Sequence, residues 1–218
     1  MEQGSGSRVI PANEYRRVRW RNQLGWTREI VKVPDGEDWD WRLSIAEIER
    51  DAAFSSFPGI DRTLVLLSGN GLRLRFDDGD VRELRPPHDH LRFAGERGVV
   101  GELIDGATHD FNLMWRRGRV RAELWHRPLV GPMVIFAEPG TMWAVYLMAG
   151  QARFADDSGL PAMAVGDTAI LEAGTQRLRQ VLEGGGEVLL VRVAPVAIRS
   201  GDDSEPVGDA SESGGTRP

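Results

Sequence analysis

Residues 145–174 read VYLMAGQARFADDSGLPAMAVGDTAILEAG, and their punctuation decides the fold. An apolar run ends at Gly150, a polar stretch follows, and Gly166-Asp167 precedes a second apolar run, Thr168–Leu171. A third run, EVLLVRV at 187–193, returns after Gly184-Gly185-Gly186. Apolar runs this short, set between Gly, Pro and Asp, read as strands rather than helices. The same rhythm extends upstream, predicting strands at Trp41–Ile45, Thr63–Leu67, Leu72–Phe76, Trp115–Leu124, Trp143–Leu147, Thr168–Leu171 and Val188–Val193. FDDGDV at 76–81 reads as a hairpin turn. Ile45–Asp51 suits either a short helix or a strand ending in a turn. The fold class is all-β, of the sandwich or barrel kind.

A shift of 81 positions lays Pro58-Gly59 on Pro139-Gly140, Leu66-Leu67 on Leu147-Met148, and Gly69 on Gly150. Each half then reads turn, apolar strand, glycine, second strand, which predicts a duplicated β-unit. The expected layout is a flexible N-terminus (1–14), a first unit with the candidate pocket (15–125), a second unit (126–199) and an acidic tail (200–218). The stretch at 145–174 with its returning strand resembles the cupin pattern, so the expectation is a duplicated cupin-like β-barrel, a bicupin. In metal-binding cupins two histidines and an acid lie near the first of these strands, and a third histidine follows the Gly-Asp strand. The matching segments here, TMWAVYLMAG and EAGTQRLRQ, hold no histidine. The second unit is therefore expected to be structural.

The remaining composition excludes several function classes. With no cysteine there are no disulfides, thiol catalysts or iron–sulfur clusters. No apolar run approaches the roughly 20 residues that span a membrane, and MEQGSGSR lacks the layout of a secretory signal. A cytoplasmic location is expected. The tail carries five acids against one arginine, which leaves the body near −2 of a formal −6. Such a tail has too little apolar surface to offset its ordering entropy and is expected to be disordered. A near-neutral body offers no long-range attraction for nucleic acid.

Three blocks in the first half carry a more specific signal: RWRNQLGWTREI (19–30), WDWRLSIAEIERDAAFSSFPGIDRTLVLLSGNG (39–71) and DGATHDFNLMWRRG (105–118). Together they resemble the HutD/Ves family of two-unit cupin-like proteins, across roughly residues 15–195. Members typically carry Gly where this chain has Gln23, and Gly-Pro where it has Ala52-Ala53. The resemblance implies a role tied to histidine utilisation, with N-formylglutamate as the ligand of the HutD branch, or a stress-related role for the Ves branch. Neither branch has an established reaction.

Within these blocks Arg62 opens an apolar strand beside a Pro-Gly turn. A guanidinium placed there can grip a carboxylate through two parallel hydrogen bonds, or pair with Asp61 or another acid to seal the rim. In HDFNLM, strand alternation points Asp110, Asn112 and Met114 to one face and Phe111 and Leu113 to the other. Asp110 and Asn112 would orient a polar ligand or satisfy local backbone. Arg42 and Ser44 share the face opposite Trp41, Leu43 and Ile45, and turn to the pocket or to water. Ser55 would donate to a ligand or cap its turn. Trp20, Asn22, Thr27 and Glu29 would form one wall, although Asn22 equally suits a turn.

His88 and His90 lie on one side of a strand by period two, but they follow Pro86-Pro87 outside the three blocks. They are read as an exposed connection, with His109 and His126 too far along the chain to join them. No metal and no other cofactor is expected. The leading function is a non-catalytic binder of a small anionic metabolite such as N-formylglutamate, acting as a regulatory factor, with no nucleic-acid or membrane partner and homodimerisation left open. The rivals are a metal-independent isomerase, epimerase or hydrolase using Asp110 or His109 for proton transfer, and a structural or partner-binding protein.

Overall fold

The computed structural model describes residues 6–20 and 23–196. Asn22 and the acidic tail lie outside the described residues. The described residues form sixteen strands and two single-turn 3-10 pieces, with no α-helix among them. Ile45–Asp51 is resolved in favour of the strand. All strand pairings are antiparallel, as an all-β chain with short connections requires.

The strands divide over three sheets. The central sheet runs in the order β2 (Arg16–Arg19), β3 (Gly25–Val33), β4 (Trp41–Ile48), β11 (Thr108–Arg116), β6 (Ile60–Ser68) and β9 (His90–Ala94). A four-stranded sheet runs β5 (Ala52–Ala53), β10 (Val99–Leu103), β7 (Leu72–Phe76) and β8 (Val81–Leu84). The third runs β1 (Arg8–Ile10), β15 (Thr168–Glu172), β14 (Met142–Phe154), β16 (Leu178–Pro195) and β12 (Val120–Val130), with β13 (Met133–Ala137) also paired to β16.

Alternation along the central strands sends apolar side chains both ways. Leu43, Ile45, Phe111 and Leu113 meet Ala144, Tyr146, Ile170 and Leu189 of the third sheet. On the opposite face Ala46, Ile48, Leu64 and Leu66 meet Leu72, Leu74, Phe76 and Val99 of the four-stranded sheet. The central sheet is thus buried on both sides. A sheet apolar on both faces is sandwiched between layers rather than rolled around one lumen. Accordingly no sheet closes on itself among the described residues, and the closed barrel expected from the sequence is replaced by facing open sheets.

The third sheet also packs on itself, since Val145, Leu147 and Val188 share a cluster with Leu129, Ile135 and Phe154 of the same sheet. A bulge between Leu147 and Ala149 and a glycine corner make this curl possible. A Cβ on Gly150 would sit 1.9 Å from the Gly185 oxygen, and one on Gly186 would sit 1.9 Å from the Ala149 oxygen. Only glycine permits so close an approach of two backbones.

Three expectations change. Trp115–Leu124 is not one strand, because Gly118, with φ 82°, turns the chain between β11 and β12. The boundary drawn at 125/126 falls inside β12. Arg8–Ile10, assigned to a flexible N-terminus, pairs with Thr168–Ile170, and the Tyr15 hydroxyl lies 2.7 Å from Thr168 Oγ1. No helix among the described residues is long and apolar enough to cross a membrane.

Candidate functional site

The face of the central sheet turned toward the four-stranded sheet is apolar at one end and polar at the other. Its registers align Arg42–Met114–Arg62 as one rung, Ser44–Asn112–Leu64 as the next, and Ala46–Asp110–Leu66 as the third. Beside the first two rungs lies a cavity of about 570 Å³, roofed by Phe54–Phe57 and walled by Val18–Trp20 and Thr27. That is a volume suited to a small metabolite. Arg42, Ser44, Ser55, Arg62, Asn112 and Thr27 all line it.

Arg62 is the unusual member. Its side chain is only 5% exposed, and its Nε has no hydrogen-bond partner. Among the described residues no acid forms an ion pair with it. The adjacent Asp61 instead turns outward, 2.7 Å from Arg92 Nη2 and 3.2 Å from Arg117 Nε. The Arg62 guanidinium is held among three rings, 5.2 Å from the centre of Phe93, 5.3 Å from Phe54 and 5.7 Å from Phe57. Cation–π attraction at such distances offsets part of the desolvation cost, but supplies no counter-charge. Burial first, and the charge of Arg42 second, lower its pKa to about 10. At neutral pH it remains a cation without an anion.

Arg42 adds to this field. Its Nε is 3.2 Å from Glu29 Oε2, within ion-pair distance but outside hydrogen-bond geometry. Glu29 is also 3.0 Å from Lys32 Nζ and 3.5 Å from Arg16 Nη2. One carboxylate shared by three cations leaves this side of the cavity positive. Burial, opposed by Glu29, lowers the Arg42 pKa.

The other polar groups take different parts. Asn112 is 7% exposed, and its Oδ1 has no partner. Ser44 is buried beside it. Thr27 Oγ1 accepts a hydrogen bond from Trp20 Nε1 at 2.9 Å, so it is committed to the wall. Asp110 shares the face of Asn112 but lies one rung deeper, fully buried and outside the cavity lining. The Thr108 hydroxyl donates to its Oδ2 at 2.7 Å, and Oδ1 is unpartnered. Burial pushes this carboxyl up to about 7. His109 faces away, into a separate cavity.

The sequence pattern that defines HutD matches residues 12–190. The chain belongs to the HutD family. It is 42% identical over 119 residues to an uncharacterised 21.2 kDa protein from the region 3′ of hutC in Pseudomonas putida, covering 53% of this chain and 62% of that one. It is 42% identical over 106 residues to protein Ves of Cronobacter sakazakii, covering 48% and 58%. The chain therefore spans about three fifths of the length of the curated relatives it matches. Among solved structures, HutD from Pseudomonas fluorescens SBW25, described in a formate condition, superposes with a TM-score of 0.76 at 27% identity, over 88% of this chain and 100% of that one. The Escherichia coli pirin YhhW in complex with nickel(II) gives 0.64 at 10% identity over 88% and 100%, a likeness of cupin-like fold alone.

In this HutD-family chain the cavity does not suit the metal that many cupins hold. The groups lining it include three arginines, Arg19, Arg42 and Arg62, and no imidazole or carboxylate, a set that repels a divalent cation. Sequence reasoning missed the ring cage: Phe54 and Phe57 lie within the second block but are given no role there, and Phe93 of β9 lies outside the three blocks. The F-S-S-F-P-G spacing was the available signal, since it sets two rings beside the strand that Arg62 opens. The two departures from the HutD pattern are also placed. Gln23 adopts φ 60°, a conformation native to glycine, and Ala52-Ala53 form β5 against Val100-Gly101.

Proposed function

We propose that this HutD-family chain binds a small anionic metabolite in the first-half cavity without transforming it, and acts as a regulatory factor in histidine utilisation. The observation that carries the reading is the buried, uncompensated Arg62 guanidinium between three aromatic rings. A buried cation is costly until an anion arrives, and a carboxylate can take two of its N–H groups at once. Asn112, with an unpartnered Oδ1, would accept a hydrogen bond from an amide N–H on the ligand. N-formylglutamate offers carboxylates and such an N–H, and a relative lies in a hut gene region. A duplicated β-unit belongs to the same reading, supported by Pro-Gly turns of equal φ, 76°, ahead of β6 and β14.

Calorimetric titration of N-formylglutamate tests this. We expect saturable binding that raises the melting temperature and leaves the ligand chemically intact after long incubation. Arg62→Ala should weaken binding by roughly 2–5 kcal/mol, with lysine rescuing only part because it lacks the planar fork. Normal affinity in folded Arg62→Ala would remove the anion anchor. Product accumulating in proportion to protein would replace the binder by an enzyme.

A further inference from the structure

A second cluster lies away from the anion cavity, on the seam between the central and third sheets. The connection from β8 to β9 delivers His88 in a left-handed conformation, φ 59°, uncommon outside glycine. Its Nδ1 is 3.2 Å from the Leu66 carbonyl oxygen. That oxygen can only accept, so Nδ1 carries the hydrogen, and in the neutral ring Nε2 keeps its lone pair. Nε2 in turn lies 3.1 Å from Glu187 Oε2. From the third sheet His126 brings its own Nε2 to 3.1 Å from the same oxygen. His126 faces Leu189 and Pro128 faces Glu187, so His126 and Glu187 are diagonal neighbours on one sheet face. Glu187 follows the glycine corner at once, where the backbone has little room to shift.

The reading of His88–His90 as an exposed connection, with His126 out of reach, is corrected here. His90 is exposed at the start of β9, but His88 is half-buried and meets His126 with ring centres 5.0 Å apart. His126 Nε2 can donate to the Glu187 oxygen, but a neutral His88 with its hydrogen on Nδ1 sets a lone pair against that carboxylate, which repels unless positive charge lies between them. The three donor atoms fall within 4.8 Å of one another. Ligands about 2.05 Å from a tetrahedral metal stand ~3.3 Å apart, close to the two 3.1 Å separations seen here. Two imidazoles and one carboxylate suit zinc or nickel rather than magnesium or calcium, which favour all-oxygen sites. The carbonyl bond to His88 Nδ1 is the kind of outer contact that fixes a ligating ring. A cavity of about 210 Å³, bordered by His88 and Glu187 together with Ser68 and Tyr146, leaves room for a water in a fourth position.

We propose that His88, His126 and Glu187 bind one divalent transition metal of the zinc or nickel class, joining the β8–β9 connection to the third sheet. The full chain, stripped with chelator and titrated with zinc chloride by calorimetry and by melting, tests it. We expect one equivalent to bind and to raise the melting temperature. His126→Ala and Glu187→Gln, both at partly exposed positions, should each weaken zinc binding by roughly tenfold or more. His90→Ala and Arg62→Ala should bind zinc as the parent does, which separates this site from the anion cavity. Circular dichroism confirms that each variant is folded. Absence of saturable zinc binding overturns the proposal, as does equal affinity in folded His126→Ala. So does a cluster that responds only to pH, its melting change lost in His126→Ala while zinc has no effect.

Discussion

Asp61 and Arg62 are neighbours in the chain but not partners, because successive strand residues face opposite ways. Asp61 is neutralised outward by Arg92 and Arg117, which leaves Arg62 without an acid among the rings. Asp110 is the opposite case, an acid buried without a cation. Burial raises its pKa from 3.8 to about 7. Below pH 3.8 both the folded and unfolded forms hold the proton, and the group costs nothing. Between about 4 and about 7 the unfolded chain releases a proton that the folded chain keeps, so stability falls as pH rises through that window. Asp110→Asn removes the titration. From pH 5 to pH 8 the parent should lose roughly 2–3 kcal/mol relative to the variant. Melting curves across that range check this, and parallel profiles would show that Asp110 does not titrate there.

At the scale of elements, the connection from β2 to β3 shows strain where residue and conformation disagree. Gln23 donates its backbone N–H to the Trp20 carbonyl and takes φ 60°, a left-handed conformation that favours glycine. A left-handed residue with a side chain costs about 1–2 kcal/mol, while glycine adds roughly 0.5–1 kcal/mol of unfolded-state entropy. Gln23→Gly should therefore gain ~0.5–1 kcal/mol, read as a melting temperature higher by roughly 1–4 °C. A lower melting temperature would mean that the Gln23 side chain contributes more than its strain. Local patterns of this kind were the legible part of the sequence. Alternation in WRLSIA put Arg42 and Ser44 on one face of their strand, and in HDFNLM put Asn112 and Met114 on one face of theirs; the register of β4 with β11 then joins the two pairs on a single face. Alternation does not report depth, which is why Asp110 came out on the right face but behind the cavity. Nor does it report which sheets meet. Phe93 comes beside Arg62 through the pairing of β9 with β6, and His126 beside Glu187 through that of β12 with β16, while His88 reaches them only where the central and third sheets meet; all are contacts between elements far apart in sequence.

The whole molecule is held by that stacking, and the division into two units at 125/126 cuts across it. The largest shared cluster joins Trp41, Leu43, Phe111 and Trp115 of the central sheet to Tyr146, Leu189 and Val191 of the third. Residues 15–125 alone would expose this face, lose the partners of Tyr15 and leave β12 without β16. Each large side chain returned to water forfeits about 1.5–3 kcal/mol, so a handful of them outweighs the 5–15 kcal/mol that a typical domain has in hand. The isolated first half should then be aggregated or molten, even though it holds every described residue that lines the anion cavity. The full chain should melt in one cooperative transition, with calorimetric and van't Hoff enthalpies agreeing. Two resolved transitions, or a soluble 15–125 fragment with dispersed side-chain NMR signals, would show instead that the central and four-stranded sheets stand on their own and that the third sheet is a removable layer.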